Sequence, residues 1–201
     1  MPPNATQNDA WRFINENKVK ILAKQSKQKT VKKEFLTENS TLKTLTFNIV
    51  MQRAERENIF FSLKDDLLII EFPVEIDCST DDVQQQLWKG ITYFLRKEAK
   101  RILPVQVRLL ADRFGFYFSN VKIQQSKTRW GSCSSRKSIN LSLYLLLLPQ
   151  ELIDYVILHE LCHTKEMNHS PRFWQWMDKV TDNKSAALRR ELKNFKTPKI
   201  Y

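Results

Sequence analysis

The sequence is poor in the residues that staple or punctuate a chain. Of 201 residues only three are cysteine, and Cys78, Cys133 and Cys162 are odd in number and far apart. That excludes the paired framework of a disulfide-stapled secreted domain and points to a reducing compartment. No uninterrupted apolar run approaches the length needed to cross a bilayer, and the start, MPPNATQNDAWRF, lacks the basic-then-apolar pattern of a signal peptide. The expectation is a cytoplasmic protein with no membrane partner. Acid is scarce too: 22 Asp and Glu face 33 Lys and Arg, a formal net charge of +11. Such a surplus concentrates polyanions at the surface and makes nucleic acid a candidate partner, although it bears on association and not on chemistry. Histidine is equally rare, and its use is telling: all three histidines lie within HELCHTKEMNH, residues 159 to 169.

What is present divides the chain. Residues 1–40 read as a basic N-terminal extension, in which KVKILAKQSKQKTVKK (18–33) carries seven lysines, no acid and no convincing amphipathic stripe. Residues 41–201 read as one domain. Alternation in TLTFNIVMQ and NIFFSLKD, followed by LLIIEF, predicts a three-stranded meander over 44–73, with RAEREN and KDD as its turns. Residues 79–114 predict helix: Ser79 or Thr80 as cap, Asp81 and Asp82 in the first turn, and Leu87, Ile91, Phe94 and Leu95 at helical spacing. Pro104 should kink or restart that helix, and Gly115 should close it. The last part, 120–201, opens with two strands, 120–125 and 138–143, joined in hairpin fashion through a loop holding Gly131, one of only three glycines. Pro149 then starts a new helix.

On that helix Leu152, Val156, His159 and His163 are spaced by four, three and four residues, so the imidazoles continue one face. Histidines at i and i+4 direct nitrogens at one point, a spacing suited to a single Zn²⁺ per chain. Glu160 is rotated about 100° from His159, where it flanks the metal and reaches a water beside it, as a general base needs to. A catalytic zinc takes three protein ligands. His169 stands far enough on to leave the helix, turn and return, with Asn168 tolerating a left-handed backbone, Ser170 as cap and Pro171 starting the next helix. Cys162 reads as a small buried hydrophobe, with a structural zinc site of Cys133, Cys162 and a histidine as the alternative.

The stretch RWGSCSSRKSINLSLYLLLLPQELIDYVILHELCHTKEMNHSPRFW, residues 129–174, resembles the YgjP-like zinc metallopeptidases, more distant kin of the SprT-like and WLM proteases. The resemblance implies an α+β, zincin-like fold whose mixed sheet has an edge strand above the HExxH helix. That strand would be SINLS, 138–142, so Ser138, Ile139, Asn140 and Leu141 become candidate substrate-binding residues through strand addition. It also implies His159, His163 and His169 as ligands and Glu160 as base. The ligand spacing equals that of metzincins, except that Glu166 stands where those have glycine, so the turn to His169 must be made differently. Arg129, Trp130 and Gly131 match the loop before the strand. Arg129 either helps stabilise the oxyanion, pairs with a carboxylate under the helix, or anchors the loop while Trp130 packs, and Tyr144 and Tyr155 are further oxyanion candidates. The N-terminal 40 residues fall outside the resemblance.

The function so implied is zinc-dependent hydrolysis of peptide or protein substrates. Two rivals accompany it: a protease brought to nucleic-acid-bound proteins by the basic arm and tail, and a zinc-stabilised binding module with little turnover. After the third ligand, SPRFWQWMDKV predicts a helix with Phe173, Trp174, Met177 and Val180 packing inward, and NKSAALRRELKNFKTPKI a basic amphipathic helix with Leu188, Leu192 and Phe195 on one side.

Overall fold

A computed structural model describes residues 6–29 and 35–195. The chain divides into two units, Met1–Phe35 and Leu36–Tyr201. The first is built on helix α1, Gln7–Lys29. It starts before the basic arm, where Thr6 and Asp9 cap each other: the Asp9 carboxylate accepts from the Thr6 N–H at 2.9 Å and the Asp9 N–H donates to the Thr6 hydroxyl at 3.3 Å. Residues 30–33 of the arm lie outside the described residues.

The second unit opens with a four-stranded sheet: β1 (Leu42–Lys43), β2 (Asn48–Ala54), β3 (Phe60–Lys64) and β4 (Leu67–Pro73). It is not the meander expected over 44–73. The order is β1-β2-β4-β3, with β2 parallel to β4 and β3 antiparallel to it. The reason lies in LLIIEF: Leu68, Ile70 and Phe72 are fully buried and Leu67 and Ile69 half-buried, so the strand with apolar side chains on both faces takes the centre. The KDD turn does form a tight hairpin, with Asp65 (φ 47°) and Asp66 (φ 61°) both left-handed.

Helix α2, Asp81–Phe114, begins after Thr80, whose side chain makes no capping bond, and ends at Gly115, whose φ of 70° lets its N–H reach the Ala111 carbonyl. Pro104 neither ends nor restarts it. Leu87, Ile91, Leu95, Ala99, Leu103, Val107 and Ala111 recur every four residues straight through the proline, and all are buried. Burying the larger aliphatics of that stripe is worth about 1.5–3 kcal/mol each. An interior proline costs about 3 kcal/mol, so the stripe outweighs it.

A second sheet follows, β5 (Asn120–Gln124), β6 (Gly131–Cys133) and β7 (Ser138–Ser142), in the order β5-β7-β6. Strands β5 and β7 are parallel, not a hairpin; the hairpin joins β6 to β7, with Lys137 left-handed at φ 59°. SINLS is therefore the central strand and not the edge. Ile139 and Leu141 are fully buried, and both sides of the backbone are engaged along its length, by Asn120–Gln124 on one side and by residues 130–134 on the other. No main-chain row on Ser138, Ile139, Asn140 or Leu141 is left for a substrate, which overturns the strand-addition role expected for these residues.

A 3₁₀ turn, Leu143–Leu147, leads into α3 (Gln150–Cys162), then α4 (Pro171–Val180) and α5 (Ser185–Leu192). Helix α3 is buried on most of its circumference and lies against β6, α2, α4 and α5. The architecture is α+β with two mixed sheets, and the edge strand beside α3 is β6. Among the described residues no helix is long and apolar enough to cross a membrane.

Candidate active site

Helix α3 carries the first two histidines. Its apolar residues Leu152, Val156 and Leu161 anchor it in the core, which leaves His159 and His163 half-buried in its last turn. The chain then leaves the helix without a left-handed residue. The N–H groups of Lys165 and Glu166 both donate to the Cys162 carbonyl at 3.0 Å, and no residue between 163 and 170 has positive φ. Asn168 is thus not left-handed; hydrogen-bonded turns over 161–166 start the return without a positive φ. Ser170 caps α4, accepting from the Phe173 N–H at 3.4 Å, and Pro171 occupies the first turn.

That turn returns His169 to the other two. One ring nitrogen from each of His159, His163 and His169 lies within 4.8 Å of the others, and the Nε2 atoms of His159 and His169 are 3.0 Å apart. The His163 Nδ1–H donates to the Glu166 carbonyl at 3.1 Å, which fixes the tautomer and leaves Nε2 with its lone pair. Burial and the neighbouring imidazoles push His159 down to about 3, and burial also lowers His163. Three ring nitrogens thus converge on one point with no carboxylate among them. This donor set fits a divalent cation of the zinc type.

Phe173 braces the cluster. Its ring is fully buried, stacks on His163 with centroids 4.5 Å apart, and meets His159 and His169 edge-on at 4.9 and 4.7 Å. Trp174 stacks on the exposed His169 at 5.9 Å. Both were expected as packing; what they pack against is the three imidazoles themselves.

Glu160 faces the same cleft as His159 from beneath β6. It is 5% exposed, its Oε2 has no hydrogen-bond partner among the described residues, and burial pushes it up to about 8 against the pull of Arg129. The strand can lie this close only because residue 131 is glycine: a Cβ there would stand 2.7 Å from Glu160 Oε1 and 2.8 Å from Cγ. Sequence reasoning placed Gly131 in a loop and missed this approach, which no local pattern signals.

The cleft holds about 410 Å³ and is walled by Tyr155, Val156, Trp130 and Leu192, with Arg129, Arg189 and Lys193 around it. Of the two tyrosines considered, Tyr155 lines the cleft; burial raises its phenol. Tyr144 does not line it, being fully buried, with its hydroxyl accepting from Gln125 Nε2 at 3.3 Å. Cys133 and Cys162 join no metal-binding cluster among the described residues, and burial lifts their thiols to about 11 and about 12. A mixed cysteine and histidine site does not form. Helix α5 buries Leu188 as expected of a docked tail, yet its unforeseen contribution is Arg189, whose guanidinium lies 4.8 Å over the Trp174 ring.

A family model described as YgjP-like, metallopeptidase domain, matches residues 1–195. The chain belongs to the YgjP-like metallopeptidase family. It is a peptidase hydrolase that works with a metal, and the match takes in the N-terminal segment that the motif-based resemblance left out. No curated protein matches the chain. Among solved structures this family member is similar to the metallopeptidase zymogen abylysin of Pyrococcus abyssi, at 23% identity and a TM-score of 0.42, over 46% of this chain and 93% of that one. It is also similar to the metallopeptidase zymogen jannalysin of Methanocaldococcus jannaschii, at 25% identity and a TM-score of 0.40, over 45% and 93%. None of these findings supports a nucleic-acid partner.

Proposed function

We propose that the peptidase holds one zinc ion between His159, His163 and His169 and hydrolyses peptide bonds with Glu160 as general base. The observation that carries the reading is the convergence of three ring nitrogens within 4.8 Å beside a buried carboxylate with an unpartnered oxygen. Bound there, zinc supplies Lewis acidity, polarising a carbonyl and lowering the pKa of a water toward about 7. Glu160 takes a proton from the attacking water and delivers it to the departing amide nitrogen, a role its burial suits by making the carboxylate more basic. Tyr155, whose phenol burial keeps protonated and which lines the cleft, would then be the donor to the carbonyl oxygen. Strand β6, the sheet edge beside α3, offers main-chain groups for an extended substrate in place of β7.

Metal analysis of the purified protein tests the site: close to one zinc per chain is expected, lost when His159 and His163 are both replaced by Ala. Glu160→Gln then separates a peptidase from a zinc-stabilised binding module, because it should stop hydrolysis while zinc stays bound. Equal inertness of wild type and variant on peptide libraries would leave only the module.

A further inference from the structure

The cleft beside Glu160 is ringed by positive charge with little to balance it. Arg129, Arg189 and Lys193 all line it, and the one carboxylate among the lining residues is Glu160, which is buried beneath β6. Among the described residues the ion pairs involve Arg53, Arg56 and Arg101, and none involves these three cations. Arg189 is instead held on an indole: its guanidinium sits 4.8 Å over Trp174, and Trp174 stacks at an interplanar angle of 25° on His169. A guanidinium fixed on a ring in this way keeps its fork of N–H donors for another partner. The stack ties its position to the histidine cluster. Arg129 stands just before Gly131, the first residue of the β6 edge. The walls between these cations are the buried Tyr155 and Val156 and the half-buried Leu192 and Phe195, which exclude water and strengthen any charge pair formed among them.

We infer that the cleft selects peptides that present a carboxylate next to the bond being cut, with Arg189 as the principal specificity residue and Arg129 as the second. The inference rests on the peptidase reading of the site and names its substrate class. Planar guanidinium groups pair with carboxylates through two parallel hydrogen bonds, so an acidic side chain or the carboxylate at a peptide's C-terminus meets the same chemistry here. An amide in its place accepts fewer hydrogen bonds and brings no charge.

The test measures binding, so that turnover does not enter. Zinc-loaded Glu160→Gln protein is titrated against fluorescent ten-residue peptides, each a neutral Gln-containing sequence with one Gln changed to Glu in turn, ending either in an amide or in a free carboxylate. Fluorescence anisotropy should show about tenfold tighter binding for Glu over Gln at one or two registers, or for the free carboxylate over the amide; which of the two appears distinguishes an acidic side chain from a chain terminus. Adding Arg189→Gln should shrink the ratio of acidic to neutral binding to twofold or less, and Arg189→Lys should restore part of it. Arg129→Gln serves as the second variant, with a smaller expected loss. Equal binding of every acidic and neutral pair, or an advantage that survives both arginine substitutions, overturns the inference. Wild-type protein that binds acidic peptides selectively but cleaves none would instead count against the peptidase reading, leaving the selectivity in place.

Discussion

The floor of the cleft and its rim are built on opposite terms. The floor, with His159, His163, Glu160 and Phe173, is half-buried to buried and held by packing: Phe173 touches all three imidazoles, and Glu160 is pressed under a glycine. The rim, with Arg129, Arg189 and Lys193, is exposed and held by little more than one indole stack. Floor residues cannot change in size or shape without disturbing the fold around them, whereas rim residues can, so the proposed chemistry sits where geometry is rigid and the proposed selectivity where it is adjustable.

The largest break in that contrast should come from Glu160→Gln. The variant is isosteric, so the floor should stay packed and zinc bound, yet losing a general base costs about 10²–10⁴-fold in rate. Peptide hydrolysis compared with metal content on the same samples checks it; a variant that keeps a tenth or more of wild-type turnover would remove Glu160 from the chemistry. Next comes Phe173→Ala. Emptying a fully buried ring site should cost about 3–5 kcal/mol of stability. It should also weaken metal binding by about 10- to 100-fold, because the imidazoles lose their brace. Denaturant melts and a competition titration with a chelator read the two effects separately.

In the metal-free floor, Glu160 and His159 should respond to pH with opposite signs. Glu160 is raised to about 8 in the fold, so between its ordinary 4.5 and 8 the folded protein keeps a proton that the unfolded chain has released. Its stabilising contribution is full below 4.5 and is lost as pH rises through 8. His159 is lowered to about 3, so below 6.5 the unfolded chain takes up a proton that the fold refuses, and stability falls as pH drops toward 3. Metal-free protein should therefore be most stable between about 4.5 and 6.5, and Glu160→Gln should flatten the alkaline side by about 2 kcal/mol or more. Thermal melts across pH with a chelator present measure both limbs; an alkaline limb of unchanged slope in the variant would assign the loss to another group.

The floor was largely legible in the sequence, and the rim and the sheets were not. Histidines at i and i+4 on an apolar stripe, followed by Asn168, Ser170 and Pro171, are local signals, and the structure brings His159, His163 and His169 together. Only the backbone device differed, since the return to His169 needs no left-handed residue. Strand order depends on pairing between distant segments. SINLS and LLIIEF each read correctly as strands, but their central places are decided by which strands come to flank them, and nothing local to 138–142 announces β6 on one side and β5 on the other. The proline in α2 failed as a stop because seven buried positions in register outweigh one missing hydrogen bond. Arg189 was invisible for a simpler reason: on a chain of net charge +11, one more cation in a basic tail looks like all the rest.

A mid-sized perturbation tests the contact between strand and floor. Gly131→Ala introduces a methyl group 2.7–3.0 Å from three atoms of the Glu160 side chain, so β6 or the carboxylate must give way. Overpacking of this kind costs about 1–3 kcal/mol. Because the displaced group is the proposed base, kcat should fall more than the stability loss alone explains, with KM for short peptides changing less. A drop in stability with kcat unaltered would show that the strand moves and Glu160 does not.

The smallest effect should come from the rim, and its smallness is the point. Arg189 is exposed and contributes a cation–π contact to Trp174, worth about 0.5–1 kcal/mol at such a site. Arg189→Gln should therefore lower stability by no more than about 1 kcal/mol, leave the zinc content unchanged, and leave the circular dichroism of the fold as it is. Trp174 still has His169 to stack against, so its fluorescence should shift only slightly. A loss of several kcal/mol or of the metal would mean that the indole stack is a strut of the histidine cluster, and the division between a rigid floor and an adjustable rim would have to be redrawn with Arg189 on the other side.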